Sequence, residues 1–416
     1  MRILTRYIIV LGMFILSLLL YIDRVCISVA QDSIAGELSL DDTAMGAILA
    51  AFGFGYALFQ VPSGLMADRM GPRKVLTAIV TIWSAFTALT GMAWNYMSLL
   101  ITRFLFGAGE AGAFPGMSRA IFSWIPLRER GLVLGLNFSG SRLGAAFAMP
   151  FVSWLITDFG WRTSFYILGG IGVVWAVMWW FLFRDNPEEH PFIADQEKND
   201  IIAHRQQPEA HSAERLSASE LLGSTNMWVA MIQYFCSNFT FYFALTWLFP
   251  YLKKTYDLES LEAGWYSMAP FIAGAVGNWA AGLILDRLYN QGRWNQSRKL
   301  PAMIGFILAA AGLIGSVFMK TPETAVIMLS IAIFGADMTL PPSWALCVDI
   351  GKKNAGTASS TMNMAGNVGS VLTALAFPWL VALTGSVDYF FYIAAGLNLI
   401  AVLLWWKTKA DKGLAF

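Results

Sequence analysis

The chain has 416 residues, 57% of them hydrophobic and 13% charged, with a formal net charge of +1 and a mean hydropathy of +0.56. Soluble domains carry about 25% charged residues, so this surface is too sparsely charged to face water, and the chain reads as an all-α polytopic membrane protein. Near-neutral charge excludes the basic footprint of a nucleic-acid binder.

At roughly 20 apolar residues per span, the apolar runs predict helices over 7–30, 43–67, 75–94, 97–123, 131–157 and 162–183. A second set is predicted over 227–250, 261–286, 300–319, 323–349, 355–384 and 388–406. Residues 184–226 form the long polar stretch and read as a solvated linker with a short surface helix. The expected architecture is therefore twelve transmembrane helices in two pseudo-symmetric six-helix bundles, 1–183 and 227–416, joined by a cytoplasmic linker. His190, His204 and His211 all fall in that linker, while Cys26, Cys236 and Cys347 lie in apolar runs. This argues against histidine relays, a disulfide framework and a metal site, and no cofactor is expected.

Lys and Arg cluster at the loops that a cytoplasmic N-terminus would place inside: Arg2 and Arg6, Arg73 and Lys74, Arg128 and Arg130, Arg184 to Arg215 in the linker, Arg298 and Lys299, Lys352 and Lys353, and Lys407, Lys409 and Lys412. Only Arg162, Lys253, Lys254 and Lys320 fall outside, so both termini are expected in the cytoplasm. Arg2 and Arg6, the first apolar run and Ser28-Val29-Ala30 together resemble a secretory signal. Asp23 and Arg24 interrupt that run, which favours a retained first span.

Gly64-Leu65-Met66-Ala67-Asp68-Arg69 at the end of span 2 recurs as Gly282-Leu283-Ile284-Leu285-Asp286-Arg287 at the end of span 8. Parallel repeats of this kind mark secondary transporters with a site between their halves. Extended to Met70-Gly71-Pro72-Arg73-Lys74, the first copy resembles the loop 2–3 signature of the major facilitator superfamily. Within it, Tyr21-Ile22-Asp23-Arg24, Arg103 through Pro115 (RFLFGAGEAGAFP) and Trp124 through Arg130 (WIPLRER) resemble the anion:cation symporter group. That group includes bacterial sugar-acid permeases and the sialic-acid and vesicular glutamate transporters of animals. The resemblance implies proton-linked movement of a small organic anion by alternating access. It assigns proton binding to the positions of Asp23 and Glu110, and anion recognition to that of Arg24.

The charges at membrane depth lead to a compatible reading on their own. An ionised group at the bilayer centre costs at least ~2.5–3.5 kcal/mol, so Asp23, Arg24, Arg103, Glu110, Arg142 and Asp337 should each face a cavity or a partner. Asp23, Arg24 and Arg103 lie roughly 10 Å below the outer boundary at ~1.5 Å per residue; the others fall near mid-span. Arg103 and Glu110 are two helical turns apart and share a face of span 4. Gly107, Gly109, Ala111 and Gly112 around them allow another helix to approach closely. Burial and a nearby guanidinium act in opposite senses on a carboxyl's hold on its proton, so proton and substrate can compete for one arginine. In the expected cycle, ionised Glu110 pairs with Arg24 or Arg103, and protonation releases the arginine to a substrate carboxylate. The same charges also suit buried ion pairs that simply hold helices together.

Arg142 departs from the sugar-acid permeases, where an uncharged or aromatic residue is usual nearby in span 5. It either serves a second anionic group of the substrate or is neutralised by Asp337. Tyr21, Tyr56, Gln233, Asn238, Trp344, Asn363 and Asn367 are candidates to complete the substrate site, several of them by resemblance; Asn363 and Asn367 share a helical face. Asp68, Arg69, Arg73, Asp286 and Arg287, at cytoplasmic helix ends, read as gates that pair with helix dipoles and charges of the other half. Trp179, Trp180, Trp405 and Trp406 suit an interfacial belt.

No phosphate-binding Gly-x4-Gly-Lys-Ser/Thr loop exists, and the linker is too short for a nucleotide-binding domain, which disfavours an ATP-driven pump. Without span histidines, no catalytic constellation is evident and no enzyme is expected. The expected protein is a monomeric bacterial inner-membrane symporter of a small mono- or dicarboxylate. The rivals are an exchanger or uniporter without proton coupling and a membrane substrate sensor.

Overall fold

The structure, a computed structural model, describes residues 4–40, 42–205 and 222–408. Arg2, His211, Arg215, Lys409, Lys412 and the middle of the linker lie outside the described residues. Among the described residues all regular structure is helical. The helices α1 (Thr5–Val29), α2 (Gln31–Leu38), α3 (Asp42–Met70), α4 (Pro72–Gly91), α5 (Tyr96–Glu110) and α6 (Ala113–Trp124) lead into α7 (Arg130–Leu182). Two spans run on through α7 and turn at Gly160, whose φ of 78° is open to glycine. Then come α8 (Asp195–His204) in the linker, α9 (Thr225–Thr246), α10 (Leu248–Thr255), α11 (Ser260–Asn290) and α12 (Trp294–Val317). The last are α13 (Pro322–Met338), α14 (Leu340–Gly351), α15 (Ala355–Thr384) and α16 (Asp388–Lys407). Nine helices among the described residues are long and apolar enough to cross a membrane.

Local chemistry explains where helices start and stop. Gly71 (φ 82°) turns the chain and Pro72 opens α4, where a missing N–H costs nothing; Asp185 accepts the Arg73 N–H at 2.8 Å. Asn95 and Ser98 form a reciprocal cap at the start of α5. Spans 4, 7 and 10, each expected as one helix, are divided into α5 and α6, α9 and α10, and α13 and α14. At the first break the Gln60 side-chain amide donates to the Ala111 carbonyl, a group the interrupted ladder leaves over. At the third, the Thr339 hydroxyl donates to the Ala336 carbonyl at 2.6 Å.

The expected tryptophan belt holds for only one residue of each pair. Trp180 and Trp406 are exposed, whereas Trp179 stacks on Phe183 at 4.3 Å and Trp405 is wholly buried. Consecutive helical residues point about 100° apart, so one of two neighbours faces the core.

The chain divides into two compact units. One comprises Met1–Leu127, Gly144–Ala213 and Gly351–Thr361, the other Arg128–Leu143, Glu214–Ile350 and Met362–Phe416. The beginning of span 5 thus belongs with the second half of the sequence and the beginning of span 11 with the first. In the first unit, linker helix α8 is tied to the start of α1: Glu197 accepts the Thr5 and Arg6 N–H groups at 2.9 and 2.8 Å, and Arg6 donates to Asp200 at 2.7 Å.

Candidate functional site

The first unit gathers Tyr21, Asp23, Arg24, Tyr56, Arg103 and Glu110. The gathering depends on glycine: a side chain on Gly107 would strike the Phe52 carbonyl and the Tyr56 N–H, and one on Gly55 would strike the Phe104 carbonyl. Thus α3 and α5 cross in backbone contact, which sets Phe52 and Tyr56 beside Arg103 and Glu110. Gly109 meets Trp83 of α4, and Gly112 meets Ser63 of α3 and Ile79 of α4, so the small residues of span 4 receive two helices rather than one.

Arg24 donates through Nε to Glu110 Oε1 at 2.6 Å, and its Nη2 lies 2.5 Å from the same oxygen. Tyr21, Phe52 and Tyr56 surround the guanidinium, with ring centres 4.9, 5.2 and 4.7 Å from its central carbon. Such rings attract a cation through their negative faces. Glu110 is fully buried, and its Oε2 has no hydrogen-bond partner among the described residues. Of the two arginines expected to hold Glu110, Arg24 is therefore the one in contact. Asp23 is buried without an ion-pair partner among the described residues and accepts the Trp83 indole N–H at 3.1 Å. Arg103, 2% exposed, packs against Phe106 and Phe52 at 4.4 and 5.4 Å.

The second unit holds the remaining candidates. Arg142 grips Asp337 with two hydrogen bonds, Nε to Oδ2 at 2.6 Å and Nη2 to Oδ1 at 2.5 Å, and lies 3.5 Å from the Phe241 ring centre. Trp344 donates its indole N–H to the Tyr234 hydroxyl at 2.9 Å and packs against Phe138. Asn367 donates to the Asn363 carbonyl, and Asn238 to the Tyr234 carbonyl, each at 2.9 Å. Gln233 is engaged differently from the other candidates. It is wholly buried, donates to the Ala230 carbonyl, and accepts from Ser343 at 3.0 Å and Trp405 at 3.3 Å. Its amide is engaged within the helix packing.

The repeated motif makes the same arrangement in each unit. Asp68 accepts the N–H groups of Gly356 and Thr357 at 3.0 and 2.7 Å, at the start of α15. Asp286 accepts those of Gly131 and Leu132, both at 2.8 Å, at the start of α7. A carboxylate there satisfies orphan donors and meets the positive end of the helix dipole. One turn before each Asp, a glycine meets a glycine of the capped helix, Gly64 with Gly356 and Gly282 with Gly131. The arginines of the motif differ among themselves. Arg69 and Arg287 are exposed and make no ion pair among the described residues. Arg73 donates to the Trp180 carbonyl at 3.0 and 2.8 Å, because the last carbonyls of a helix attract a cation as well as a carboxylate does.

Sequence reasoning missed a buried charge cluster. Arg130 donates to Asp349 Oδ1, and Arg298 donates to Oδ2 at 2.9 Å. Both arginines are fully buried, although their positions near loops suggested topology anchors. Trp83 and Gln60 were missed because a lone indole or amide in an apolar run carries no signal of its partner.

The profile of the Major Facilitator Superfamily matches residues 13–374. A probable sulfoacetate transporter of Cupriavidus necator is 35% identical over 95% of this chain and 92% of its own length. A probable galactarate/D-glucarate transporter of Escherichia coli is 30% identical over 96% of this chain and 92% of its own, and a hexuronate transporter of Bacillus subtilis 28% identical over 95% and 92%. Among solved structures, the proton:xylose symporter XylE matches the fold with a TM-score of 0.76, at 16% identity over 97% of this chain and 95% of its own. On the matched profile and the full-length relatives, the chain belongs to the major facilitator superfamily, as a multi-pass membrane transporter of twelve-helix fold and not an enzyme.

Proposed function

We propose that the protein imports a small organic anion together with protons across the bacterial inner membrane, as a monomer with both termini in the cytoplasm. The observation that carries this reading is the Arg24–Glu110 contact. Arg24 uses a single carboxylate oxygen, and the other, Oε2, is buried and unpartnered. A proton arriving on Oε2 removes the charge that holds the guanidinium, and a substrate carboxylate takes its place on Arg24. Asp23, one residue away, is the second proton site. The relatives support an acid as cargo, being named for sulfoacetate, galactarate and glucarate, and hexuronate. Tyr21, Tyr56 and Arg103 are assigned to substrate contacts in the first unit, and Asn238, Trp344, Asn363 and Asn367 to substrate contacts in the second. Gln233 is assigned to packing, and Asp337 to neutralising Arg142. The caps made by Asp68 and Asp286 are the gating contacts, since a helix start released from its carboxylate loses two charged hydrogen bonds.

The test uses purified protein in proteoliposomes. Glu110→Gln is expected to abolish accumulation driven by a pH jump while substrate counterflow persists. Unchanged proton-driven accumulation in that variant would refute the coupling role. Accumulation by the unaltered protein that ignores pH would favour an exchanger or uniporter, and specific binding without counterflow a sensor.

A further inference from the structure

Arg103 is the guanidinium in the first-unit cluster that no acid holds. It is 2% exposed, makes no hydrogen bond or ion pair with any described residue, and its Nε is wholly buried. Arg24 and Arg142, by contrast, each grip a carboxylate. A guanidinium keeps its charge at any working pH, and burying it without an acceptor is a costly arrangement. Contacts with Phe106 and Phe52 at 4.4 and 5.4 Å offset only part of that cost.

Arg24 and Arg103 both lie against one ring: their central carbons are 5.2 and 5.4 Å from the centre of Phe52. Both are thus within reach of the two ends of one small diacid. Charge counting agrees. With Asp23 and Glu110 both neutral, two guanidinium charges remain in the cluster, which a monoanion leaves half compensated and a dianion balances. From this, and resting on the organic-anion reading above, we infer that the cargo is a dianion, a dicarboxylate or a sulfonate-carboxylate, with one acidic group on Arg24 and the other on Arg103. Arg103 is then the residue that separates diacids from monoacids. Arg142, already neutralised by Asp337, has no part in that choice.

Matched pairs test this with the full-length protein: glucarate against gluconate, which differ at one terminal carboxylate, and sulfoacetate against acetate. Competition for counterflow and ligand-induced thermal shift supply the affinities. In a pair that binds, the dianion is expected to be about ten- to a hundredfold tighter, as a charged hydrogen bond supplies. Arg103→Gln should erase the preference, the dianion losing at least tenfold more affinity than its monoanion, with Arg103→Lys between. A monoanion that binds as tightly as its dianion, or an equal loss of both in Arg103→Gln, would overturn the inference while leaving organic-anion transport intact. If no acid of any charge binds or exchanges, the transport reading fails and this one with it. Should Arg103→Gln not fold, the paired affinities of the unaltered protein decide.

Discussion

Asp337→Asn should be among the most destabilising single substitutions that preserve side-chain size. The carboxylate makes two short hydrogen bonds to Arg142, and the exposures of the two side chains are 1% and 4%. Phe241 covers the guanidinium on one face. Gly274 backs the carboxylate so closely that a side chain there would strike Oδ2. An asparagine keeps one acceptor but leaves the arginine's charge buried without a counter-charge, and breaking a buried pair in this way costs about 3–5 kcal/mol. For a body of about 200 residues, each kcal/mol lowers Tm by about 2–4 °C, so a fall of roughly 6–20 °C is expected. Removing both charges with Arg142→Met and Asp337→Leu eliminates the uncompensated ion, and that variant should recover most of the loss, since isosteric apolar replacement of a buried pair is often neutral. Thermal unfolding of the purified protein in detergent, with the unaltered protein and both variants side by side, supplies the measurement. If the asparagine variant melts with the unaltered protein, or the double variant melts as low as the single one, the pair is not the structural neutralisation described here.

Other expectations are as direct. Gly107→Ala places a methyl against the Phe52 carbonyl and should cost about 1–3 kcal/mol or block accumulation of folded protein, whereas Gly170→Ala, with nothing within 4 Å, should be neutral or stabilising by up to ~1 kcal/mol; equal melting of the two would contradict the crossing described. Asp286→Asn retains one acceptor oxygen and should lose about 1.5–3 kcal/mol of capping, read as faster hydrogen exchange at the Gly131 and Leu132 amides; unchanged protection there would remove the cap from consideration. Arg162, with the Trp161 indole, holds the Glu37 carboxyl below the usual carboxylate range. That contribution is in place above the unfolded value near pH 4.5 and fades as the pH falls through the lower folded value. Melting temperatures of the protein and Glu37→Gln should therefore converge on acidification; a constant gap would refute the linkage.

Much of this was readable because charge is scarce. With so few ions at depth, Glu110 had Arg24 and Arg103 as candidate partners, and Arg142 had either Asp337 or a second anionic group of the substrate. The glycines of span 4 pointed to a close crossing, though not to which helices would meet there. What escaped notice had partners distant in sequence and no periodic signature. Asp349 sits at the predicted end of a span and carried no signal, while Arg130 and Arg298, near predicted loops, read as topology anchors rather than members of one buried cluster. The Trp83 indole stands in an apolar run, where nothing in the sequence marks Asp23 as the acceptor of its N–H. Gln233, a polar group in a span, suggested a ligand, and in the structure its amide meets Ala230, Met362, Ser343 and Trp405. The Asp68 and Asp286 motif announced its importance by repeating, but only the geometry showed that its carboxylates cap helix starts while its arginines do not follow them.

The aromatic collar of Arg24 has a mechanical consequence. Tyr21, Phe52 and Tyr56 attract the guanidinium by their ring faces, an attraction indifferent to whether Glu110 holds a proton. An arginine side chain normally forfeits about 2 kcal/mol of rotamer freedom when it is immobilised; here the collar has already imposed that loss. Any exchange of Glu110 for another anion then leaves the fork standing where it is. The incoming acid meets a guanidinium already held in place instead of a flexible arm that must first be caught.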